Sequence, residues 1–311
     1  MTFSAEHPAP APVFAFHRLP RSLPGYRWWH PLTTLLVTVV LFFVLMMLAI
    51  GVTAAAGIFV PGASATVERA LSAESDLGDP GQLAFLLGTV GLLWPAAVLG
   101  VRWGAGRSAG TLSSVTGRLR WRSFPKPLAL AAGLFVSANA LSLLVPDTMR
   151  ETPDGGGSGN VWLLLLVVLA FVPVQAAAEE YMFRGLLMQG IGSWLRHPAF
   201  AILLPVPLFV AGHGYGLAGQ IDIAVFAAAA GWITWRTGGL EAAIALHIVN
   251  NVGAFGLGAA GFSDVNATDL AWSALPFSLA FTLVYCLLVV RWFPAPASAP
   301  PRQPEGYLAS A

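Results

Sequence analysis

The amino-acid sequence predicts an all-α, polytopic integral membrane protein with about eight transmembrane helices. Three observations support this prediction: 56% of the 311 residues are apolar, only 10% are charged, and the mean hydropathy is +0.71. A soluble globular protein carries about 25% charged residues. The composition therefore excludes most soluble enzyme folds and nucleic-acid-binding modules. The single cysteine, Cys286, excludes an internal disulfide framework and a multi-thiolate metal site.

Eight apolar runs approach the length that a membrane crossing requires, which is about 20 residues for a hydrocarbon core of ~30 Å. They lie at residues 32–59, 83–101, 127–145, 161–195, 199–210, 221–235, 240–257 and 270–290. The fifth to seventh runs are short and rich in alanine and glycine, so seven or nine crossings are alternatives. The first run is too long for the apolar region of a cleaved signal peptide, which spans about 7–15 residues.

The two ends of the chain have a different composition from the apolar runs. Residues 1–26 and 294–311 are rich in proline and have no apolar periodicity, so we expect flexible tails there. Residues 27–293 are expected to form one transmembrane domain between them.

Basic and acidic residues alternate along the connections between the apolar runs. Most basic residues precede the first run or follow the second, fourth, sixth and eighth: Arg18, Arg21, Arg27, Arg102, Arg107, Arg118, Arg120, Arg122, Lys126, Arg196, Arg236 and Arg291. The exceptions are Arg69 and Arg150, which lie in the connections that carry the acidic residues. The acidic residues follow the first, third and seventh runs: Glu68, Glu74, Asp76, Asp79, Asp147, Glu151, Asp154, Asp264 and Asp269. The positive-inside rule then predicts cytoplasmic N- and C-termini. The arginine-rich, lysine-poor composition favours a bacterial inner membrane.

Polar side chains are concentrated in the apolar runs of the C-terminal half. An ionisable group at mid-bilayer costs about 2.5–3.5 kcal/mol on insertion scales, so it usually faces protein or water and serves a function. The polar residues of these runs are Gln175, Glu179, Glu180, Arg184, His213, His247, Asn250 and Asn251. Any chemistry is therefore expected in this half of the chain.

A pair of adjacent glutamates opens this polar set. Glu180 and Arg184 are four residues apart, so on a helix they share a face and can form an ion pair. Glu179 points about 100° away around the helix and finds no partner in this segment. We therefore interpret Glu180 as structural and Glu179 as a candidate proton carrier. A packed salt bridge without catalytic role is the alternative.

Two histidines follow on later runs. His213 lies four residues after Phe209, and His247 lies four residues before Asn251, so each pair shares a helical face. Taken singly, His213 could be an interfacial residue, and His247 with Asn251 could be an interhelical clamp in an alanine- and glycine-rich environment.

Together these side chains make up a hydrolytic set. Glu179 or His213 can deprotonate a water molecule, and His247 and Asn251 can donate hydrogen bonds to an oxyanion. No serine or cysteine lies beside a base at helical spacing, so a covalent nucleophile is not indicated. The His-Glu-x-x-His zinc motif is absent. A zinc ion held by Glu179, His213 and His247 is an alternative, because three protein ligands and a water form a normal catalytic set.

The ordered motifs resemble those of the CAAX protease and bacteriocin-processing (CPBP, or Abi) family of intramembrane proteases, which includes the type II CAAX prenyl endopeptidases. The resemblance covers about residues 160–257, and the matching motifs are Glu-Glu-x-x-x-Arg (Glu179, Glu180, Arg184), Phe-x-x-x-His (Phe209, His213) and His-x-x-x-Asn (His247, Asn251). The resemblance implies a CAAX-protease-like helical bundle.

The resemblance also implies a role for each motif residue. Glu179 would activate water with His213, Glu180 and Arg184 would form a supporting pair, and His247 with Asn251 would build the oxyanion hole. The family was long described as metalloproteases, but its better-understood members look like metal-independent glutamate proteases. The resemblance therefore implies that no cofactor is needed, and metal dependence is the alternative. The expected partners are the lipid bilayer and a peptide or membrane-protein substrate, with no nucleic acid. A non-catalytic scaffold or bacteriocin-immunity protein and a transporter or proton relay are the other readings.

Overall fold

The protein is an all-α polytopic membrane protein, as the composition predicts. The computed structural model describes residues 15–60, 62–72, 75–144, 160–268 and 270–293. Within these ranges the regular structure is helical, and the pairing of Ser114 with Gly239 is an isolated bridge. Most of the two expected tails, and the acidic residues Glu74, Asp147, Glu151, Asp154 and Asp269, lie outside the described ranges.

Thirteen α-helices are found in the described residues. They are α1 (His30–Ala56), α2 (Ala63–Ala70), α3 (Pro80–Gly91), α4 (Leu93–Ala105), α5 (Gly110–Ser113), α6 (Pro125–Ser142), α7 (Val161–Glu180), α8 (Met188–Trp194), α9 (Pro198–Leu203), α10 (Val206–Ala211), α11 (Leu217–Thr237), α12 (Glu241–Ala259) and α13 (Leu275–Trp292). A π-helix, Tyr181–Leu187, joins α7 to α8.

Seven helical segments of the described chain are long and apolar enough to cross a membrane. They are His30–Ala56, Pro80–Ala105, Trp121–Ser142, Val161–Trp194, Leu217–Thr237, Glu241–Ala259 and Leu275–Trp292. Local signals set several of their ends. The Asp79 and Asn160 side chains accept hydrogen bonds from the first turns of α3 and α7, and glycines with positive φ, Gly106 and Gly238, end α4 and α11.

The fifth apolar run differs from the expectation of a continuous spanning helix. It forms the short helices α9 and α10, which are broken at Leu204–Pro205 because proline lacks the N–H that a continuing helix needs. The 14 residues of Pro198–Ala211 would rise only about 21 Å as a continuous helix.

The segment nevertheless connects opposite ends of the bundle. The Arg196 carbonyl, just before α9, accepts a hydrogen bond from His17 at the end that carries the basic residues, whereas Gly216, just after α10, donates to the Thr268 carbonyl in the α12–α13 connection. We call these the basic end and the acidic end of the bundle. The broken fifth segment therefore preserves the alternation that the charges predict.

The expectation of a flexible tail is wrong for residues 16–22. Phe16–Ser22 forms a 3-10 helix in which Phe16 and Leu19 are buried. Arg18 and Arg21 donate hydrogen bonds to the carbonyls of Gly192 and Ser193 at the end of α8, at 3.1 and 2.9 Å. These cations satisfy carbonyls that the helix end leaves unpaired, a tertiary contact that the local sequence does not encode.

The connection between α4 and α6 closes the basic end of the bundle. We call residues 107–120 the closing loop. Its Ser113 hydroxyl is 2.7 Å from the Tyr181 hydroxyl, and the backbones of Ser113 and Val115 pair with those of Leu240 and Gly238 at the α11–α12 turn, at 2.9 and 2.8 Å. The closing loop thus contacts both the π-helix after α7 and the start of α12.

Two arginines fix the ends of the closing loop. Arg107 donates to Gln189 of α8 at 2.7 Å, and its burial lowers the pKa of the guanidinium to about 10. Arg120 forms a two-pronged ion pair with the buried carboxylate of Glu241, with its Nε 3.0 Å from Oε1 and its Nη2 2.5 Å from Oε2. A bidentate pair of this kind is among the stronger charge-assisted contacts in proteins.

Replacing Arg120 by alanine is expected to destabilise the protein by about 2–3 kcal/mol, because it leaves the buried Glu241 carboxylate without its cation. The measurement is the midpoint of thermal unfolding of the detergent-purified protein. Arg122→Ala is the matched control, since Arg122 is an exposed neighbour in the same connection. Equal midpoints for the two variants would show that the ion pair contributes no stability.

Candidate active site

The predicted site residues of the fourth and seventh runs meet where α7 packs against α12. On α7, Gln175 and Glu179 are four residues apart, and on α12, His247 and Asn251 have the same spacing. Residues with this spacing lie one above the other on a helix, so each helix presents two polar side chains to the other. His247 faces Glu179, and Asn251 faces Gln175.

His247 lies between the two glutamates. Its Nδ1 is 2.8 Å from Glu180 Oε1, and its Nε2 is 3.4 Å from Glu179 Oε2. Glu180 and His247 are fully or almost fully buried, whereas Glu179 is 9% exposed. A carboxylate accepts hydrogen bonds, so Nδ1 of His247 carries the proton in the contact with an ionised Glu180, and Nε2 faces Glu179.

Arg184 holds the second glutamate from the other side. Its Nη1 donates to Glu180 Oε1 at 2.7 Å, the same oxygen that His247 contacts, and its Nη2 donates to the Ala227 carbonyl of α11 at 3.2 Å. The guanidinium also lies 4.5 Å from the centre of the Phe209 ring. The predicted pairing of Glu180 with Arg184 is therefore present, within a π-helix, a distortion that is frequent at functional sites.

Asn251 is held at both ends of its side-chain amide. Its Nδ2 donates to Gln175 Oε1 at 3.1 Å, and its Oδ1 accepts from Asn250 Nδ2 at 3.3 Å. Gln175 is 5% exposed, so this bond is shielded from solvent. The two contacts fix the direction in which the amide nitrogen of Asn251 points and leave its second hydrogen available.

His213 lies beside this group without a direct hydrogen bond to it in the described residues. Its Nδ1 is 2.7 Å from the Phe209 carbonyl. A carbonyl can only accept, so Nδ1 carries the hydrogen and a neutral ring keeps a free lone pair on Nε2. The Phe209 ring contacts both histidines, with its centre 4.8 Å from that of the His213 ring and 6.2 Å from that of the His247 ring.

The arrangement does not form the zinc site considered from the sequence. Glu179, His213 and His247 do not come together as a group that could hold a metal ion, nor does any other group of three such residues in the described ranges.

Two features of the site follow from tertiary packing that spacing alone does not reveal. From the sequence, Glu180 is interpreted as structural and Glu179 as a candidate proton carrier. In the structure His247 contacts both carboxylates. Gln175 is identifiable from the sequence as a polar residue in a membrane run, but its bond to Asn251 depends on the register of α7 against α12.

Comparisons with known proteins agree with the resemblance drawn from the motifs. Residues 160–253 match the sequence model of the family described as "Type II CAAX prenyl endopeptidase Rce1-like". This region contains every site residue described above. The predicted resemblance is therefore confirmed, and it supports a protease function.

One curated relative is the uncharacterized protein YyaK of Bacillus subtilis, which is 26% identical over 166 residues. The aligned part covers 51% of this chain and 55% of the relative, so the match spans about half the length of either protein. No solved structure matches the chain significantly.

Proposed function

Because residues 160–253 are similar to type II CAAX prenyl endopeptidases, we propose that this protein is an intramembrane endopeptidase that hydrolyses a peptide bond of a membrane-associated or C-terminal peptide substrate. The observation that supports this most directly is the pairing of Glu179 with His247 across two membrane helices, at 3.4 Å, with Asn251 one turn further along. A base beside two hydrogen-bond donors is the minimum that water-mediated acyl transfer requires.

Charge balance in the buried site indicates its protonation. Glu179 and Glu180 contribute two negative charges and Arg184 one positive charge, so a neutral His247 would leave a net charge of −1. An unbalanced charge is costly inside a membrane. One proton shared between Glu179 and His247 makes the group neutral, and this proton can move between the two side chains during the reaction.

The proposed reaction uses these groups in a fixed order. Glu179, assisted by the free Nε2 of His213, takes a proton from water as the oxygen attacks the peptide carbonyl carbon. The carbonyl oxygen becomes an oxyanion, to which protonated His247 and the amide of Asn251 donate hydrogen bonds. The C–N bond then breaks, and the proton held by Glu179 passes to the leaving amine.

Glu180 and Arg184 support this chemistry by positioning His247. Because Glu180 accepts from Nδ1 of His247, it fixes the orientation of the ring and directs Nε2 toward Glu179. Arg184 holds the Glu180 carboxylate in place through its ion pair.

Gln175→Met is expected to slow cleavage by about 10-fold, because it removes the acceptor that orients Asn251 while keeping a side chain of similar size. The measurement is the cleavage rate at saturating substrate. Asn251→Ala should lose more activity, and adding Gln175→Met to it should cause no further loss. Independent, additive effects of the two substitutions would show that Gln175 does not act through Asn251.

The proposed location is a bacterial inner membrane with the basic end in the cytoplasm. The unequal distribution of arginine between the two ends supports this orientation. In the proposed orientation both termini lie on the cytoplasmic side.

A comparison of membrane peptides tests the proposed function. Peptides are extracted from membranes of a strain that lacks the gene and is complemented with either the wild type or Glu179→Gln. Cleavage products should appear with the wild type, and their uncleaved precursor should accumulate with the variant. Identical peptide pools would contradict the proposed protease, and a variant that keeps the physiological effect of the wild type would favour a binding scaffold.

A further inference from the structure

Five arginines from separate parts of the chain lie near one another around α8, at the basic end of the bundle. We call them the cationic cluster: Arg18, Arg21, Arg27, Arg107 and Arg196. Three of them donate hydrogen bonds to α8, at 3.1, 2.9 and 2.7 Å. Of the other two, Arg196 follows the end of α8, and Arg27 lies with Arg107 within electrostatic range of His30, the first residue of α1. The cluster therefore joins the 3-10 helix Phe16–Ser22, the start of α1 and the end of α8.

The positive charge of this cluster is not balanced by carboxylates. Its hydrogen bonds to α8 and to the closing loop end on backbone carbonyls or on neutral side chains, which satisfy a donor but leave its charge uncompensated. In the described part of the chain, the arginines paired with a carboxylate are Arg120 and Arg184, which lie outside the cluster. Burial and the neighbouring charges of Arg21 and Arg196 lower the pKa of the Arg18 guanidinium from its ordinary value. An anion bound here would relieve this repulsion.

The guanidinium groups of the cluster keep donors for such an anion. Each guanidinium has five N–H groups, and the contacts within the described residues use a minority of them. Arg21, Arg27 and Arg196 are exposed, so their remaining N–H groups can reach a ligand at the protein surface. The planar fork of a guanidinium matches two oxygens of a phosphate group. Phosphate is therefore the anion that the cluster fits best.

The surroundings of the cluster indicate the depth of a membrane surface. Two segments that are long and apolar enough to cross a membrane have an end here, since His30–Ala56 begins and Val161–Trp194 ends within three residues of a cluster arginine. Exposed tryptophans adjoin both ends: Trp28, Trp29 and Trp194. The indole of Trp194 donates to the Trp28 carbonyl at 2.8 Å, which ties the two ends together. Tryptophan is enriched at the level of the lipid headgroups, so a phosphate at this depth belongs to a lipid.

From the unbalanced charge, the free guanidinium donors and the tryptophans, we propose that the cationic cluster is a binding site for the phosphate groups of anionic phospholipids. Basic pockets between transmembrane helices bind headgroups of this kind. A bound phosphate would connect the 3-10 helix, α1 and α8, so anionic lipid should also stabilise the fold. The site is separate from the Glu179–His247 pair, and its occupancy does not depend on peptidase activity.

Lipid selectivity of the purified full-length protein is the first test. Native mass spectrometry measures the affinity for phosphatidylglycerol and for phosphatidylcholine with the same acyl chains. Phosphatidylglycerol is expected to bind at least about 10-fold more tightly, because only its headgroup has a net negative charge, and to raise the unfolding midpoint more. Equal affinities for the two lipids would overturn the proposal.

Charge-removing variants test whether the cluster itself binds the lipid. Combining Arg21→Gln with Arg27→Gln should weaken phosphatidylglycerol binding by about 20-fold, since each arginine near an anionic surface contributes about 5-fold. Glutamine keeps a donor, and Arg21→Lys with Arg27→Lys should keep most of the affinity. Arg122→Gln with Lys126→Gln is the matched control, because it removes the same charge from exposed residues of the same end and should change binding by no more than about twofold. An equal loss in both glutamine pairs would show attraction by diffuse surface charge and contradict a defined site.

A single variant covers the case in which the pair at positions 21 and 27 does not fold. Arg196→Gln changes an exposed residue and should weaken phosphatidylglycerol binding by about 5-fold. Unchanged binding by folded Arg196→Gln would contradict its place in the site.

Glycerol phosphate separates a lipid from a soluble phosphate ligand, because it has a phosphate group without acyl chains. At the concentration at which phosphatidylglycerol saturates the protein, glycerol phosphate should neither raise the unfolding midpoint nor displace the lipid. If it did both as effectively as phosphatidylglycerol, the ligand would be a soluble phosphate and the assignment to lipid would be overturned.

Discussion

Replacing Glu179 by glutamine is expected to reduce peptide cleavage by about 10²–10⁴-fold, the range that removal of a general base typically produces. Glutamine preserves the size of the side chain but cannot take a proton from water. The measurement is the rate of product formation in isolated membranes that contain equal amounts of wild type or variant. His247→Ala should also abolish cleavage, because it removes the oxyanion donor and the partner of both glutamates.

Protein abundance separates a catalytic loss from a folding defect. Glu179 is the least buried member of the charged group, and the close ion pair of Arg184 is with Glu180. We therefore expect Glu179→Gln to accumulate to wild-type levels. Glu68→Gln is the matched control, because Glu68 is an exposed glutamate far from the site in sequence. Wild-type cleavage by Glu179→Gln would remove the proposed base.

Replacing Arg184 by alanine is expected to destabilise the protein by about 3–5 kcal/mol, the cost of breaking a buried ion pair by removing one partner. Glu180 is fully buried, so without Arg184 its charge has no nearby guanidinium. The bond from Nη2 to Ala227 is lost as well, and with it a link between the π-helix and α11.

The measurements for this second prediction are the steady-state abundance in membranes and the unfolding midpoint in detergent. Glu180→Ala should have an effect of similar size, because it leaves the Arg184 guanidinium buried without its carboxylate. Glu179→Ala is the comparison at the neighbouring position and should lower abundance less. If Glu179→Ala were the more damaging change, the assignment of the structural and the catalytic glutamate would be reversed.

The sequence predicts much of the membrane fold because bilayer thickness imposes a length on every apolar helix. The boundaries of α1, α11 and α12 follow from apolar length, proline and glycine. The fifth run is an exception: its apolar character is clear, but Pro205 breaks the helix into two short pieces. Apolar composition therefore predicts which segment lies in the membrane, but it does not predict whether that segment forms one continuous helix.

The site could be predicted in its residue types but not in its contacts. The four-residue spacings of Glu180 with Arg184 and of His247 with Asn251 identify shared faces. Which faces meet depends on how α7 packs against α12. For that reason the contact of His247 with both glutamates and the role of Gln175 emerge only from the tertiary structure.

The N-terminal half of the chain has a structural role that the sequence analysis does not predict. From the sequence, its arginines indicate the orientation of the chain in the membrane. In the structure several of them also make tertiary contacts: Arg18 and Arg21 donate hydrogen bonds to the end of α8, and Arg107 and Arg120 hold the two ends of the closing loop. A positive-inside pattern cannot distinguish a cation in contact with lipid from one in contact with a buried carboxylate.

The most direct test of the central claim uses the purified full-length protein in liposomes with the precursor peptide that accumulates in the Glu179→Gln strain. The account predicts that the wild type cuts this peptide into two fragments whose masses sum to the precursor plus one water molecule, and that Glu179→Gln leaves it intact while unfolding at the wild-type temperature. An uncut precursor with folded wild type, or equal cutting by Glu179→Gln, would contradict it.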